Sequence, residues 1–213
     1  MQSIEANVYS VVRGGFRCLK GSRKSDSDKF LSISEFDALL KAAKRDPRVY
    51  GETSYDLFTL CGNFGLRCSE ALDLEFSDFA HLNFNYFTVR TLKKRSEVED
   101  RLYVGNKEKR LIEGMLSRRK AMSGTGTLFP FCARSARYYF GYYANSAGIS
   151  RNVSFHSLRH TAARLLLEAN GNDMRLVKER LRHSLGRSDI TMVYVKPTPE
   201  EMIRAGDNKG VIV

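Results

Sequence analysis

Cysteine and proline are scarce in this sequence, and neither residue is arranged in a way that defines a fold. Only four cysteines and four prolines occur among the 213 residues. No two cysteines form a C-x-x-C pair, and none lies in a cysteine–histidine cluster with zinc-finger spacing. The cysteines therefore give no sign of a structural zinc site, and their pattern favours a protein of the reducing cell interior.

Long apolar runs are also missing. No stretch approaches the roughly 18 consecutive apolar residues that a membrane-spanning helix needs. Residues 1–5 lack the basic start and the apolar run of a signal peptide. We therefore expect neither a membrane protein nor a secreted one, and the predicted location is the cytoplasm.

Positive charge is what the sequence has in excess. Lysine and arginine number 35 against 24 acidic residues, which gives a net charge of +11 and an isoelectric point near 9.6. A surplus of this size predicts a polyanionic partner, nucleic acid before an anionic membrane, although a merely soluble basic protein also fits. The length suits one domain with a small appendage.

The appendage is predicted at the N-terminus. Residues 1–29 contain a Gly14-Gly15 pair and a polar run from residue 21 to 29, which is typical of an arm or a linker. Its six basic residues either contact phosphates or form part of a solvated tail. Residues 30–213 are predicted to form the single compact domain.

Apolar periodicity and capping signals predict that this domain is mostly α with one small antiparallel β-hairpin, an α+β fold. Predicted strands at 87–92 and 101–104 flank a charged tip at 93–100. The first helix is predicted to begin at a Ser32/Glu35 capping box. A helix at 156–167 is predicted with Ser154 as its N-cap. The other predicted helices lie at about 53–64, from 69 onward, and at 106–121, 133–147, 173–182, 188–195 and 199–205.

Two arginines point to phosphate chemistry. Cleaving a phosphodiester builds negative charge on the non-bridging oxygens, and guanidinium groups can bind these oxygens bidentately in place of a metal. Arg67 and Arg159 each follow a leucine near a predicted helix start, where backbone N–H groups also favour an anion. Glu70 is expected to orient Arg67 or the hairpin lysine, or to cap its short helix. Surface salt bridges are the alternative role for either arginine.

An attacking group and a proton donor also have candidates. Tyr194 is the single phenol in the apolar stretch 190–195, and an aryl phosphodiester keeps the bond energy that rejoining requires. The leaving 5′ oxygen needs a proton, which Lys93 or Lys94 on the hairpin can supply. We prefer Lys93 because it directly follows the strand. A core tyrosine and a solvated loop lysine are the structural alternatives.

The histidines are predicted to assist at the phosphate. His156 lies three residues before Arg159 on one helix face, so both can address one phosphate, and His183 can add a second hydrogen bond. His160 is assigned to helix packing. No glutamate of an H-E-x-x-H motif lies between His156 and His160, and no third ligand is evident, so no metal site is predicted.

Separated motifs, in their order along the chain, resemble those of the tyrosine recombinases, also called phage integrases. Residues 65–72 resemble the family's first arginine box, and residues 156–163, His-Ser-Leu-Arg-His-Thr-Ala-Ala, are close to its second box. The hairpin lysine, the segment 181–184 with its histidine, and Tyr194 match the remaining positions. The resemblance covers residues 30–213.

Some details depart from the family pattern. The family usually has glycine where this chain has Arg182, and the 11 positions from His183 to Tyr194 are more than is usual. In an alternative register, Arg187 takes the position of that histidine. The family's usual N-terminal DNA-clamping domain has no counterpart, so the sequence is either the catalytic domain of a longer protein or one of the short members.

The resemblance implies a reaction and its partners. Tyr194 attacks the scissile phosphate to leave a 3′-phosphotyrosyl link and a free 5′-hydroxyl, and the 5′-hydroxyl of a partner strand then reverses the step. The implied substrate is double-stranded DNA with a specific site, bound by a homo-tetramer without a cofactor, on nucleoid or viral DNA. Lys94 and Arg95 are predicted DNA contacts. A C-terminal segment at 199–205 either docks on a neighbouring subunit or packs as a terminal helix.

Two other functions remain open from the sequence. A type IB-like topoisomerase shares the same catalytic groups but needs neither a tetramer nor a specific site. The second alternative is a non-catalytic DNA-binding regulator of the same fold. Such a protein is expected to lack at least one essential catalytic side chain.

Overall fold

The computed structural model describes residues 30–93, 96–122, 126–182 and 196–213, with the backbone alone at 92–93, 96–98 and 122. Within these ranges, the predicted class is confirmed: helices dominate and one hairpin forms a two-stranded sheet. The elements are α1 (Ile33–Lys44), α2 (Val49–Phe64), α3 (Cys68–Leu72), β1 (Tyr86–Lys93), β2 (Ser96–Tyr103), α4 (Asn106–Met122), α5 (Ala133–Ser146), α6 (His156–Ala169), α7 (Met174–Arg180) and α8 (Pro199–Lys209). Short 3₁₀ turns at Phe76–Phe79 and Leu82–Phe84 lead into β1.

Several predictions from the sequence fall outside the described residues. They are the N-terminal arm at 1–29, the helix at 188–195, and the side chains of Lys93, Lys94, Arg95, His183 and Tyr194. Within the described ranges, no helix is long and apolar enough to cross a membrane.

Helix α1 begins where its capping box predicts. The Ser32 hydroxyl accepts from the Glu35 N–H at 3.2 Å, and the Glu35 carboxylate accepts from the Ser32 N–H at 2.8 Å. These two bonds satisfy donors that a helix start otherwise leaves unpaired. The apolar stripe that follows, Phe36, Leu39, Leu40 and Ala43, is fully buried.

Helix α2 runs through the centre of the domain and is buried along most of its length. Gly62 allows α1 to approach it closely, because a Cβ at this position would lie 2.1 Å from the Phe36 ring. The helix ends at Gly65, whose φ of 70° is left-handed and suits glycine. The chain therefore turns sharply just before Arg67.

The hairpin differs from its prediction in one respect. Most of the charged segment at 93–100 is strand rather than loop, since β1 pairs with β2 from Tyr86 opposite Tyr103 to Lys93 opposite Ser96. The charged residues of this segment lie mainly opposite uncharged ones, with Glu97 opposite Leu92 and Asp100 opposite Val89, while Glu99 lies opposite Arg90. The backbone ladder with β1 therefore continues through this charged segment, and high charge did not exclude strand here.

The C-terminal helix α8 packs on its own chain, against α4, α6 and α7. It is longer than predicted and carries Lys209, whose ammonium lies 3.0 Å from the fully buried Glu108 of α4. Arg180 at the end of α7 binds the same carboxylate at 3.2 Å. This buried ion cluster therefore fixes the end of α7 against α4 and α8.

One smaller expectation was wrong. Ser154 does not cap α6 through its side chain; instead the Ser157 hydroxyl accepts from the Ser154 N–H at 3.2 Å. Among the tyrosines of α5, Tyr143 is buried, whereas Tyr138 and Tyr142 are exposed.

Candidate active site

The first arginine box places Arg67 at the start of α3, directly after the turn that ends α2. Its backbone N–H donates to Oε2 of Glu70 at 2.8 Å, and its Nη1 donates to Oε1 at 2.5 Å. The side chain remains 39% exposed. Glu70 therefore both caps α3 and orients the guanidinium, so that the two alternatives predicted for this glutamate hold together.

Arg159 lies deeper in the same site. It is the fourth residue of α6, and its side chain is only 4% exposed. Nη1 donates to the Gly65 carbonyl and Nη2 to the Leu181 carbonyl, each at 2.5 Å. Each terminal nitrogen of a guanidinium carries two hydrogens, so one on each remains for an anion.

Glu70 is the buried centre of this arrangement, with its side chain 3% exposed. Besides Arg67, it binds Nη2 of Arg182 at 2.5 Å and accepts from the Thr91 hydroxyl of β1 at 3.4 Å. Burial opposes ionisation of the carboxyl, but the Arg182 charge and the Arg67 hydrogen bonds outweigh it and hold the pKa of Glu70 below its usual value. The carboxylate is charged at neutral pH.

Arg182 is a member of the site that the sequence analysis did not identify. Its side chain is 5% exposed, and its φ is 52°, in the left-handed region that favours glycine. This conformation suits glycine, the residue that the resembling family usually has at this position. The missing glycine was visible in the sequence, but nothing in it indicated that the replacing arginine reaches Glu70, 112 residues away.

Positive charge exceeds negative charge in this cluster. Arg67, Arg159 and Arg182 carry three positive charges against the one of Glu70, a surplus of two. Burial and the repulsion of Arg67 lower the pKa of Arg159 to about 10, so it stays protonated at neutral pH. A buried surplus of this kind is unfavourable alone and favours binding of an anion. Asp100 of β2 adds a weaker attraction on Arg182.

The histidines of the second box lie at the start of α6. Both His156 and His160 are exposed, and their rings meet edge to face at 4.7 Å. The prediction that His160 packs between helices is therefore wrong. Within the described ranges, no group of three or more histidine, cysteine or acidic side chains could hold a metal ion.

The structure brings together only part of the predicted site. Arg67, Arg159 and Glu70 lie together, and β1 continues from Thr91, whose hydroxyl contacts Glu70, to the backbone of Lys93. The predicted nucleophile Tyr194, the predicted second histidine His183 and the predicted DNA contacts Lys94 and Arg95 lie outside the described residues. Their roles stay predictions.

Comparison with known proteins places this arrangement in a family. The model of the "Phage integrase family" matches residues 29–201. The chain is 31% identical over 170 residues to the type 1 fimbriae regulatory protein FimB of Escherichia coli K12, across 75% of this chain and 82% of FimB. It is 29% identical over 193 residues to the tyrosine recombinase XerC of Halalkalibacterium halodurans, across 86% of this chain and 62% of XerC.

The fold is also similar to solved structures. One is a lambda integrase tetramer bound to a Holliday junction, with a TM-score of 0.59 and 19% identity, across 79% of this chain and 49% of that one. At this identity the likeness concerns the fold alone, whereas the family match rests on sequence. The chain therefore belongs to the phage integrase family of tyrosine recombinases, which are DNA strand-transferring site-specific recombinases.

Proposed function

We propose that this chain cleaves and rejoins double-stranded DNA at a specific site through a 3′-phosphotyrosyl intermediate. The observation that carries the proposal is the convergence of Arg67 and Arg159, 92 positions apart, on one buried carboxylate with positive charge in surplus. A phosphodiester is the anion that complements this charge, and family membership supports the reaction class.

The two arginines suit different parts of the phosphate. Arg67 is partly exposed and can meet DNA at the surface, while Arg159 is held by two carbonyls and offers its remaining N–H groups from within. Because both guanidiniums are already fixed by hydrogen bonds, little reorganisation is needed as charge grows in the pentavalent transition state. Preorganised donors of this kind can stabilise that charge without a metal.

The two proton transfers, from the attacking phenol and to the leaving oxygen, are assigned to residues predicted from the sequence. The Tyr194 oxygen bonds to phosphorus while the bond from phosphorus to the 5′ oxygen breaks. His156, in the first turn of α6, accepts the phenol proton or donates to a phosphate oxygen, with His183 as a further donor. Lys93 protonates the leaving 5′ oxygen, and the motif order in the sequence supports these roles.

Double-stranded DNA is the proposed substrate, and the active assembly is a homo-oligomer, a tetramer at the strand-exchange step. The net charge of +11 supports the DNA partner, and Lys94 and Arg95 are proposed backbone contacts. Lambda integrase, which shares the fold, has been solved as a tetramer on a Holliday junction. Catalysis needs no cofactor in this scheme, and the site of action is DNA in the cytoplasm, nucleoid or viral.

A plasmid assay tests the proposal without knowledge of the target site. The protein is incubated with supercoiled plasmid carrying the DNA that flanks its own gene, with a chelator present, and the reaction is quenched with detergent. We expect protein-linked DNA and recombined products, and neither with Tyr194→Phe. Relaxation of any plasmid without strand exchange would identify a topoisomerase instead. Binding without cleavage of any DNA would contradict the enzymatic proposal.

A further inference from the structure

Arg182 occupies a position whose backbone suits glycine better than arginine. A φ of 52° brings the Cβ of an L-residue close to the following carbonyl, which strains any side chain except glycine. The arginine is nevertheless buried, and its guanidinium is held by Glu70 at 2.5 Å and by the Arg180 carbonyl at 3.0 Å. Strained backbone conformations cluster at functional sites, and this strained, buried arginine lies beside a predicted phosphate site.

The contacts of Glu70 show what Arg182 changes. Oε1 binds Arg67, and Oε2 binds Arg182 together with the Arg67 backbone N–H. Nη1 of Arg159 lies 3.8 Å from Oε2, beyond hydrogen-bond distance, and donates to the Gly65 carbonyl instead. Arg182 thus occupies the carboxylate oxygen that Arg159 would otherwise approach.

Arg182 also changes the net charge of the cluster. With glycine at position 182, Arg67 and Arg159 would share Glu70 and leave a surplus of one positive charge. With arginine, the surplus over Glu70 is two, reduced in part by the weaker attraction of Asp100 on Arg182. In addition, Nε of Arg182 is buried and has no hydrogen-bond acceptor among the described residues. Unsatisfied donors and unneutralised charge at one place both favour an incoming anion.

We propose that Arg182 is a positioning residue for DNA cleavage: by occupying Oε2 of Glu70 it keeps Arg159 available to the scissile phosphate and adds one positive charge to the site. The inference rests on the proposed function and deepens it. Arg182 acts through Glu70 and through its charge, and its importance rises as negative charge develops on the phosphate in the transition state.

Arg182→Gly separates this role from a structural one. Glycine relieves the left-handed strain, so the fold is expected to survive, and it removes the charge. Asn172→Gly is the matched control, because Asn172 has a φ of 64°, is exposed, and makes no contact with the arginine cluster. Both variants relieve the same kind of strain, but only one changes the cluster.

The readout is single-turnover cleavage of the duplex that the wild-type protein cuts, prepared with either a natural or a methylphosphonate linkage at the scissile position. The methylphosphonate lacks the negative charge that the arginines neutralise. We expect Arg182→Gly to slow cleavage of the natural linkage by at least about tenfold and of the methylphosphonate by less than about threefold, with DNA affinity within about threefold of wild type. Asn172→Gly is expected to match wild type on both.

Different failures have different meanings. Wild-type protein that cleaves neither linkage in any DNA overturns the proposed function, and this inference with it. Wild-type protein that cleaves normally while Arg182→Gly matches it on the natural linkage overturns the role of Arg182 alone. Equal slowing of both linkages by Arg182→Gly also overturns it, because the effect would then be independent of phosphate charge.

Discussion

The stability of this domain is expected to depend strongly on the charge of Glu70. Replacing it by glutamine keeps its size but removes the charge that holds Arg67 and Arg182, each at 2.5 Å, around a side chain that is 3% exposed. Removing one partner of a buried ion pair typically costs about 3–5 kcal/mol, because the remaining charge stays buried without compensation. We expect Glu70→Gln to cost about 3 kcal/mol, near the lower limit, since the 39% exposed Arg67 can regain water.

Urea unfolding measures this free energy directly, with the midpoint and the slope recorded for each protein. A loss of about 3 kcal/mol corresponds to a melting temperature lower by about 6–12 °C for a domain of this size. Sulfate should restore part of the loss, because an anion that binds only the folded cluster adds about 1.4 kcal/mol at ten times its Kd. The restoration is expected to be larger in the variant than in wild type.

Glu113→Gln is the matched control for this experiment. Glu113 is an exposed glutamate on α4, and the same substitution there should change stability by less than about 0.5 kcal/mol. If Glu70→Gln lies within about 1 kcal/mol of this control, the account of Glu70 as the carboxylate that holds the arginine cluster is wrong.

Two further predictions address the phosphate site and the α1 cap. Arg159→Ala should abolish DNA cleavage while most of the DNA affinity remains in a filter-binding assay, since this arginine is 4% exposed; normal cleavage would remove Arg159 from the phosphate site. The Arg151 guanidinium lowers the pKa of Glu35 to about 2, so the stability from this pair is present above about pH 4.5 and is lost as pH falls toward 2. Unfolding of wild type and Glu35→Gln at pH 7 and pH 3 checks this: the modest difference at pH 7 should shrink at pH 3, and an unchanged difference would contradict it.

Much of the fold could be predicted from the sequence because its signals are local. The Ser32/Glu35 box acts within a few residues and α1 begins there, and α2 ends at residue 64 as predicted. The hairpin tip was assigned to loop because charge normally marks loops. The strand continues there because the segment pairs residue by residue with β1, and this depends on register rather than on composition.

The site residues likewise include some that local sequence motifs indicate and one, Arg182, that depends on the packing of distant segments. The two arginine boxes were recognisable as motifs, and Glu70 was placed correctly because it lies three residues from Arg67, which is one helical turn. Arg182 was missed because its contact with Glu70 depends on how α3 and the end of α7 lie together in the folded domain. The positive φ at position 182 is likewise a property of the folded chain, and a sequence shows it only as a preference for glycine.

The most direct test of the central claim is to identify the residue that becomes attached to DNA. After cleavage in the presence of a chelator, the adduct is digested with protease and nuclease, and the modified peptide is mapped by mass spectrometry while the free DNA end is labelled. We predict a nucleotide joined through its 3′ phosphate to Tyr194, and a free 5′-hydroxyl on the other side of the break. Attachment to another tyrosine, a 5′ linkage, or an adduct that forms only with a divalent metal would contradict the account.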